Sequence, residues 1–136
     1  MDKVVRNRFA PIPPEAEEIG KKVLDAAYAV HSALGPGLLE SVYETCLVYK
    51  LRQQKVAVDS QVVMPVVFEG IQVETGLRLD LLAGKLVIVE LKSVETMVPL
   101  YEAQLLTYLR VTGLRLGYLI NFNVVHLKDG IKRMVV

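Results

Sequence analysis

Apolar residues recur at helical spacing soon after the start of the chain: Ile19, Val23, Ala26, Ala27, Val30 and Leu34 predict a helix over about Glu15–Leu34. Glu15, Glu17 and Glu18 stand at its beginning, where negative charge favours a helix start. Pro11, Pro13 and Pro14 make residues 1–14 an irregular arm, which leaves 15–136 as a single domain. Gly35-Pro36-Gly37 interrupts the pattern. A second helix is expected over about Leu38–Gln54, burying Leu39, Val42, Cys46 and Leu47, and the short break predicts that the two helices pack as a hairpin.

The pattern then changes to runs of Val, Ile and Leu punctuated at Glu69-Gly70, Thr75-Gly76 and Ala83-Gly84. These predict three successive strands, about Val56–Phe68, Ile71–Leu82 and Leu86–Leu91. Pro65 cannot donate to a ladder, so the first strand should lie at an edge or carry a bulge there. Pro99 opens a third helix that Gly113 ends, with Leu100, Ala103, Leu106, Leu109 and Tyr101 expected on its buried side. Leu116–Phe122 reads as a fourth strand, and Val124–Leu127 with Ile131–Val136 as a terminal hairpin around Asp129-Gly130. The order is ααβββαβ plus a C-terminal hairpin, an α+β arrangement layered about a mixed sheet.

Composition narrows the class. At 136 residues and 52% hydrophobic, the chain can build one core and is not compositionally disordered. No apolar run approaches the roughly 18 residues that span a bilayer, so no membrane partner is expected. A single cysteine, Cys46, excludes an internal disulfide, and no apolar segment follows the basic start; a reduced, cytoplasmic setting is expected. Sixteen Lys and Arg against fifteen Asp and Glu give +1, so any nucleic-acid attraction must come from a local patch or an oligomer. Such near-neutrality also permits a homo-oligomer. Lys3, Arg6 and Arg8, or Lys128, Lys132 and Arg133, are the short basic clusters available; solvated surface is the plainer reading of both.

Charge inside apolar strands is what packing does not explain. Glu90 and Lys92 interrupt Leu86–Leu91 and share a face, because residues two apart on a strand do. They could simply pair with each other, an exposed ion pair worth under ~1 kcal/mol. Asp80 lies on the preceding strand. If Leu82 pairs with Leu86 across a three-residue turn, Arg78 faces Glu90, Asp80 lies diagonally beside Glu90, and Leu79, Leu81, Val87 and Val89 share the other face. A two-residue turn would send Asp80 and Glu90 to opposite faces unless a bulge intervened. Two carboxylates ~5 Å apart repel by roughly 3 kcal/mol at an effective dielectric near 20. They must share a proton or recruit a cation, and hard oxygens suit Mg²⁺ or Mn²⁺. Lys92 beside them would orient water and stabilise phosphoryl charge.

Asp80 followed by Glu90-Leu91-Lys92 resembles the D…(D/E)xK signature of the PD-(D/E)xK nuclease superfamily, although Leu79 stands where a proline is customary. The element order is similar to that superfamily's restriction-endonuclease-like αβββαβ core. Gly37-Leu38-Leu39-Glu40-Ser41-Val42-Tyr43 resembles the name-giving motif of the GxxExxY protein family. Leu34-Gly35-Pro36, Gln104–Leu109 and Leu119–Phe122 also look like that family, and the resemblance spans roughly His31–Phe122.

The resemblance implies a metal-dependent nuclease acting on nucleic acid, DNA before RNA. Asp80, Glu90 and the Leu91 backbone carbonyl would hold Mg²⁺ or Mn²⁺, and Lys92 would be the catalytic lysine. Glu40 would reach the metal or its water, although the helix dipole alone also favours an acid there. Gln104 and Tyr108, one turn apart, resemble a QxxxY motif that contacts substrate, with an ordinary half-buried tyrosine as the other reading of Tyr108. Arg78 would neutralise the carboxylates or hold a phosphate, Tyr43 would be a substrate contact or core, and His31 would approach the metal, as a histidine does in some relatives, or be an ordinary surface or satisfied core residue. The competing expectation is a non-catalytic nucleic-acid-binding or protein-assembly module on the same fold. A buried inert thiol is expected at Cys46, and His126 has no evident partner.

Overall fold

The computed structural model describes residues 10–136, so most of the expected arm, with Lys3, Arg6 and Arg8, lies outside the described residues. Helix α1 spans Pro14–Leu34 and helix α2 Glu40–Gln53. Strands β1 (Val58–Phe68), β2 (Ile71–Ala83) and β3 (Val87–Lys92) follow, then helix α3 (Pro99–Thr112) and strand β4 (Leu116–Asn121). A 3₁₀ turn at Leu127–Gly130 leads into β5 (Ile131–Val135). The result is an α+β fold of three helices and a five-stranded mixed sheet in the order β1-β2-β3-β4-β5. Only β3 and β4 run parallel, and α3 makes the crossover that a parallel pair requires.

Each helix layer covers one face of the sheet. On one side Val23, Ala26, Ala27 and Val30 of α1 and Tyr43, Leu47 and Leu51 of α2 pack on Val87, Val89, Leu91, Leu116, Tyr118 and Ile120. On the other, Leu105 and Leu109 of α3 pack on Ile88 and Leu119. That approach is close: a Cβ on Gly117 would stand 3.0 Å from a Leu105 methyl, so glycine lets α3 settle on β4.

Four expectations are corrected. The buried stripe of α2 runs through Tyr43, Leu47 and Leu51, while Leu39 and Val42 are exposed and Cys46 is only partly covered. Helix α2 carries apolar residues on both sides, so the spacing 43, 47, 51 is the stripe that the sheet selects. On α3 the core residues are Leu105 and Leu109, whereas Leu100 and Ala103 face solvent and Tyr101 and Leu106 are half-buried. At the C-terminus, Val124–Leu127 forms no strand, and β5 pairs antiparallel with β4.

The fourth correction concerns β2. Leu81 and Ala83 pack with the α1/α2 layer, but Leu77 and Leu79, of the same parity, pack with α3. Strand β2 therefore turns over at Asp80, and β1 does so opposite, where Gln61 adopts φ 53°. Pro65 meets its expectation doubly: β1 is an edge strand, and its register shifts between Met64 and Val66.

Candidate active site

The turn between β2 and β3 contains Gly84, Lys85 and Leu86, closed by the pair Ala83↔Val87. Gly84 (φ 58°) and Lys85 (φ 59°) are both left-handed, which makes the tight reversal. Pairing continues through Leu82↔Ile88 to Leu81↔Val89 and stops. The turn has the expected three residues but lies one position further along the chain, so Leu82 faces Ile88 instead of Leu86 and the next rung sets Asp80, not Arg78, against Glu90; side chains replace the backbone ladder there. Asp80 N–H donates to Glu90 Oε2 at 2.8 Å, and Leu91 N–H donates to Asp80 Oδ2 at 2.8 Å. Each acid is thus oriented by the main chain of the other's strand.

One oxygen of each carboxylate remains without a hydrogen-bond partner among the described residues. No buried polar side-chain atom lacks a partner among them, so these free oxygens reach solvent. They do so in a cleft of about 290 Å³ lined by Glu40, Arg78, Asp80, Glu90, Lys92, Gln104 and Tyr108. Four elements meet here: the start of α2, the turnover of β2, the end of β3 and one side of α3. Lys92 C=O accepts from Phe122 N–H on the β4 side at 2.9 Å. Backbone groups alternate along a strand, so the Leu91 carbonyl points the other way, toward β2, past the last ladder pair.

Electrostatics follow from this crowding. Burial, then the Asp80 carboxylate, push Glu90 up to about 8, against the Asp80 N–H hydrogen bond and the Lys92 charge. Glu40 is raised by burial first and Asp80 second, with Lys92 opposing. Burial and the charges of Glu90 and Asp80 also raise Tyr108. Lys92 makes no ion pair among the described residues, where only Glu18–Lys22 and Glu17–Arg133 do. Its ammonium lies over the Tyr101 ring, 4.2 Å from the centroid.

Two candidates lie elsewhere. His31 is buried, its Nε2 2.8 Å from the Val124 carbonyl, and it lines a different cavity with Tyr28, Ser32 and His126. Tyr43 is wholly buried and stacks on Phe122 with ring centroids 4.5 Å apart. Its hydroxyl donates to the Gly35 carbonyl at 2.6 Å and accepts from Leu38 N–H at 3.1 Å. Within Gly37–Tyr43 the three motif residues therefore divide the work. Gly37 takes φ 97°, Glu40 opens α2 at the cleft, and Tyr43 ties down the loop between. Of the C-terminal basic cluster, Arg133 is committed to a two-pronged bond with Glu17.

Three residues at or near the cleft were not singled out from the sequence. Glu44, one turn after Glu40, feels the Asp80 and Arg78 charges and accepts from Gln61 at 2.7 Å. The i, i+4 spacing of Glu40 and Glu44 was the available signal. Tyr101 was expected only as a core residue. Asn121 is buried and clamps the loop after Lys92: its amide donates to the Val94 carbonyl while its oxygen accepts from Val94 N–H and Asn123 N–H.

The donor set suits a hard divalent cation. Among the described residues no three His, Cys, Asp or Glu side chains converge as a ready-made cage. Mg²⁺ does not need one, since it keeps several waters and is commonly bound through one or two carboxylates plus substrate phosphate. Asp80 and Glu90 supply two such carboxylates in the cleft, whereas Glu40 stands there without completing a three-carboxylate group.

A mixed sheet flanked by helices, with two strands parting around an acidic cleft, is the architecture this sequence builds. The chain belongs to the PD-(D/E)XK nuclease superfamily, whose family model matches residues 17–134. That superfamily typically uses divalent metals, and its name implies nucleic acid as the partner. No curated protein and no solved structure matches the chain. No helix among the described residues is long and apolar enough to cross a membrane.

Proposed function

We propose that the protein is a Mg²⁺- or Mn²⁺-dependent nuclease of the GxxExxY kind, hydrolysing phosphodiester bonds in DNA. The observation that carries this reading is the reciprocal tethering of Asp80 and Glu90, which presents one free oxygen of each to the cleft that Lys92 also lines. Asp80, Glu90 and the Leu91 carbonyl would hold the cation, which when bound supplies Lewis acidity toward water and the phosphoryl oxygens. Lys92 stabilises charge that develops on the phosphoryl group and orients the attacking water. Glu40 accepts a hydrogen bond from that water at the cleft's edge. Arg78, exposed at the rim, offers the fork geometry that fits a phosphate. Gln104 and Tyr108, one turn apart on α3, contact the substrate from above.

Cleavage of single- and double-stranded DNA and RNA with Mg²⁺ or Mn²⁺, repeated in EDTA, tests the proposal. Activity should require the cation, and Lys92→Ala should lower it at least ~100-fold while the thermal midpoint stays near that of the wild type. Equal turnover by that variant would overturn the assignment. One feature favours the non-catalytic assembly reading instead: Phe68, Ile71 and Val73 are exposed on one face of the outer β1–β2 hairpin, where Phe68 pairs with Ile71 and Val66 with Val73. That reading gains if the protein self-associates and no cation elicits cleavage.

A further inference from the structure

Glu90 and Lys92 share a face of β3, Asp80 stands across from them, and Glu40 adds a third carboxylate to the same cleft. An ammonium group in such company pairs with a carboxylate by default. Lys92 does not: its Nζ lies 4.2 Å from the centre of the Tyr101 ring. Tyr101 sits in the first turn of α3, and with Gln104 and Tyr108 it follows the i, i+3, i+7 spacing of one helix face. The position of that face is set remotely, by Leu105 and Leu109 packed on Ile88 and Leu119. The ring is therefore placed by the fold and not by the charges of the cleft.

We propose that Tyr101 is a positioning residue whose ring holds the Lys92 ammonium off Asp80 and Glu90, leaving their free oxygens open to a divalent cation. The inference rests on reading the cleft as a metal-dependent nuclease site. The electron-rich face of an aromatic ring attracts an ammonium group. An ammonium seated between the two acids would occupy the oxygens that a cation needs and repel the cation as well. With the ring in place, the ammonium stays close while the carboxylates keep their capacity. Phenylalanine preserves the ring face, whereas leucine preserves apolar bulk without it.

The test is calorimetric titration of Mn²⁺ into the wild type, Tyr101→Phe and Tyr101→Leu, with Lys92→Met and the Tyr101→Leu/Lys92→Met double variant alongside. The leucine variant should bind Mn²⁺ about three- to tenfold more weakly, and the phenylalanine variant should match the wild type. In the Lys92→Met background the leucine change should cost nothing, because no ammonium remains to be held. Equal affinity of wild type and Tyr101→Leu overturns the proposal. So does an equal loss with and without Lys92, which would make Tyr101 a packing residue. The contact has its own readout: ring current should shift the Lys92 Hε protons upfield in wild type and Tyr101→Phe but not in Tyr101→Leu. If the wild type takes up no Mn²⁺, the functional reading fails and the consequence for affinity fails with it, while the proton shift still decides the contact.

Discussion

Glu90, lifted to about 8, keeps its proton at neutral pH in the cation-free protein. Its pKa in the unfolded chain is near the ordinary carboxylate value of 4.5, so between those two values the folded state binds more protons than the unfolded state. Stability contributed by this group is therefore fully present below about 4.5 and is lost as pH rises through about 8. Glu90→Gln, which carries no charge and can still accept from Asp80 N–H, should flatten that slope. At pH 8.5 it should be the more stable protein by on the order of 1–3 kcal/mol, measured by denaturant unfolding in EDTA. A variant no more stable than wild type at that pH would count against a crowded, desolvated carboxylate. Much of this site was legible residue by residue. Asp80, Glu90 and Lys92 stood out because charge in apolar strands needs a reason, and with Glu40, Arg78, Gln104 and Tyr108 they line one cleft. For Tyr43 and His31 the core reading holds over the site reading, and a one-dimensional pattern could not choose because it does not reveal that a hydroxyl or an imidazole has found a backbone carbonyl.

Among the elements, the loop between α1 and α2 shows how a short motif becomes geometry. The Tyr43 hydroxyl bridges Gly35 and Leu38, and the Ser93 hydroxyl donates to the Leu38 carbonyl at 2.6 Å, so the loop is fastened both to its own helix and to the end of β3. Tyr43→Phe should keep the stacking on Phe122 but leave the Leu38 amide and the Gly35 carbonyl without that bridge. The expected cost is about 1–2 kcal/mol, with faster amide exchange at Leu38 than in the wild type. An unchanged exchange rate there would mean that the hydroxyl does not hold the loop. Helix and strand identities were readable from periodicity and from the proline and glycine punctuation. Their buried faces were less so: α2 and α3 are apolar on more than one side, and which side is covered depends on the sheet beneath. The turnover of β2 was invisible for the same reason, since strict alternation assumes a strand that keeps its faces.

For the molecule as a whole, charge bears most directly on function. The net charge is only +1. Within the cleft, Arg78 and Lys92 offset the formal charges of Glu40 and Asp80, while Glu90 keeps its proton in the cation-free protein, so no positive excess awaits a ligand there. A polyanion meets no net attraction there until a divalent ion adds positive charge. Duplex DNA should therefore bind at least ~10-fold more tightly in Ca²⁺ than in EDTA at fixed ionic strength, as measured by fluorescence anisotropy. Equal affinity in both would place the binding surface elsewhere on the protein. The α+β class and the mixed sheet were legible at this scale because element order and the apolar share together leave few arrangements, whereas the pairing of β5 with β4 was not.

Two rungs of the sheet hang from acids where a neighbouring strand's carbonyls would ordinarily serve: the amides of Asp80 and Leu91. An ion held by the other oxygen of each acid would bear on the main chain through these two bonds. Strain applied to the outer hairpin would, in turn, reset how the acids present themselves. The same two bonds close the sheet and aim the acids, so removing either carboxyl would be felt in the main chain of the other's strand.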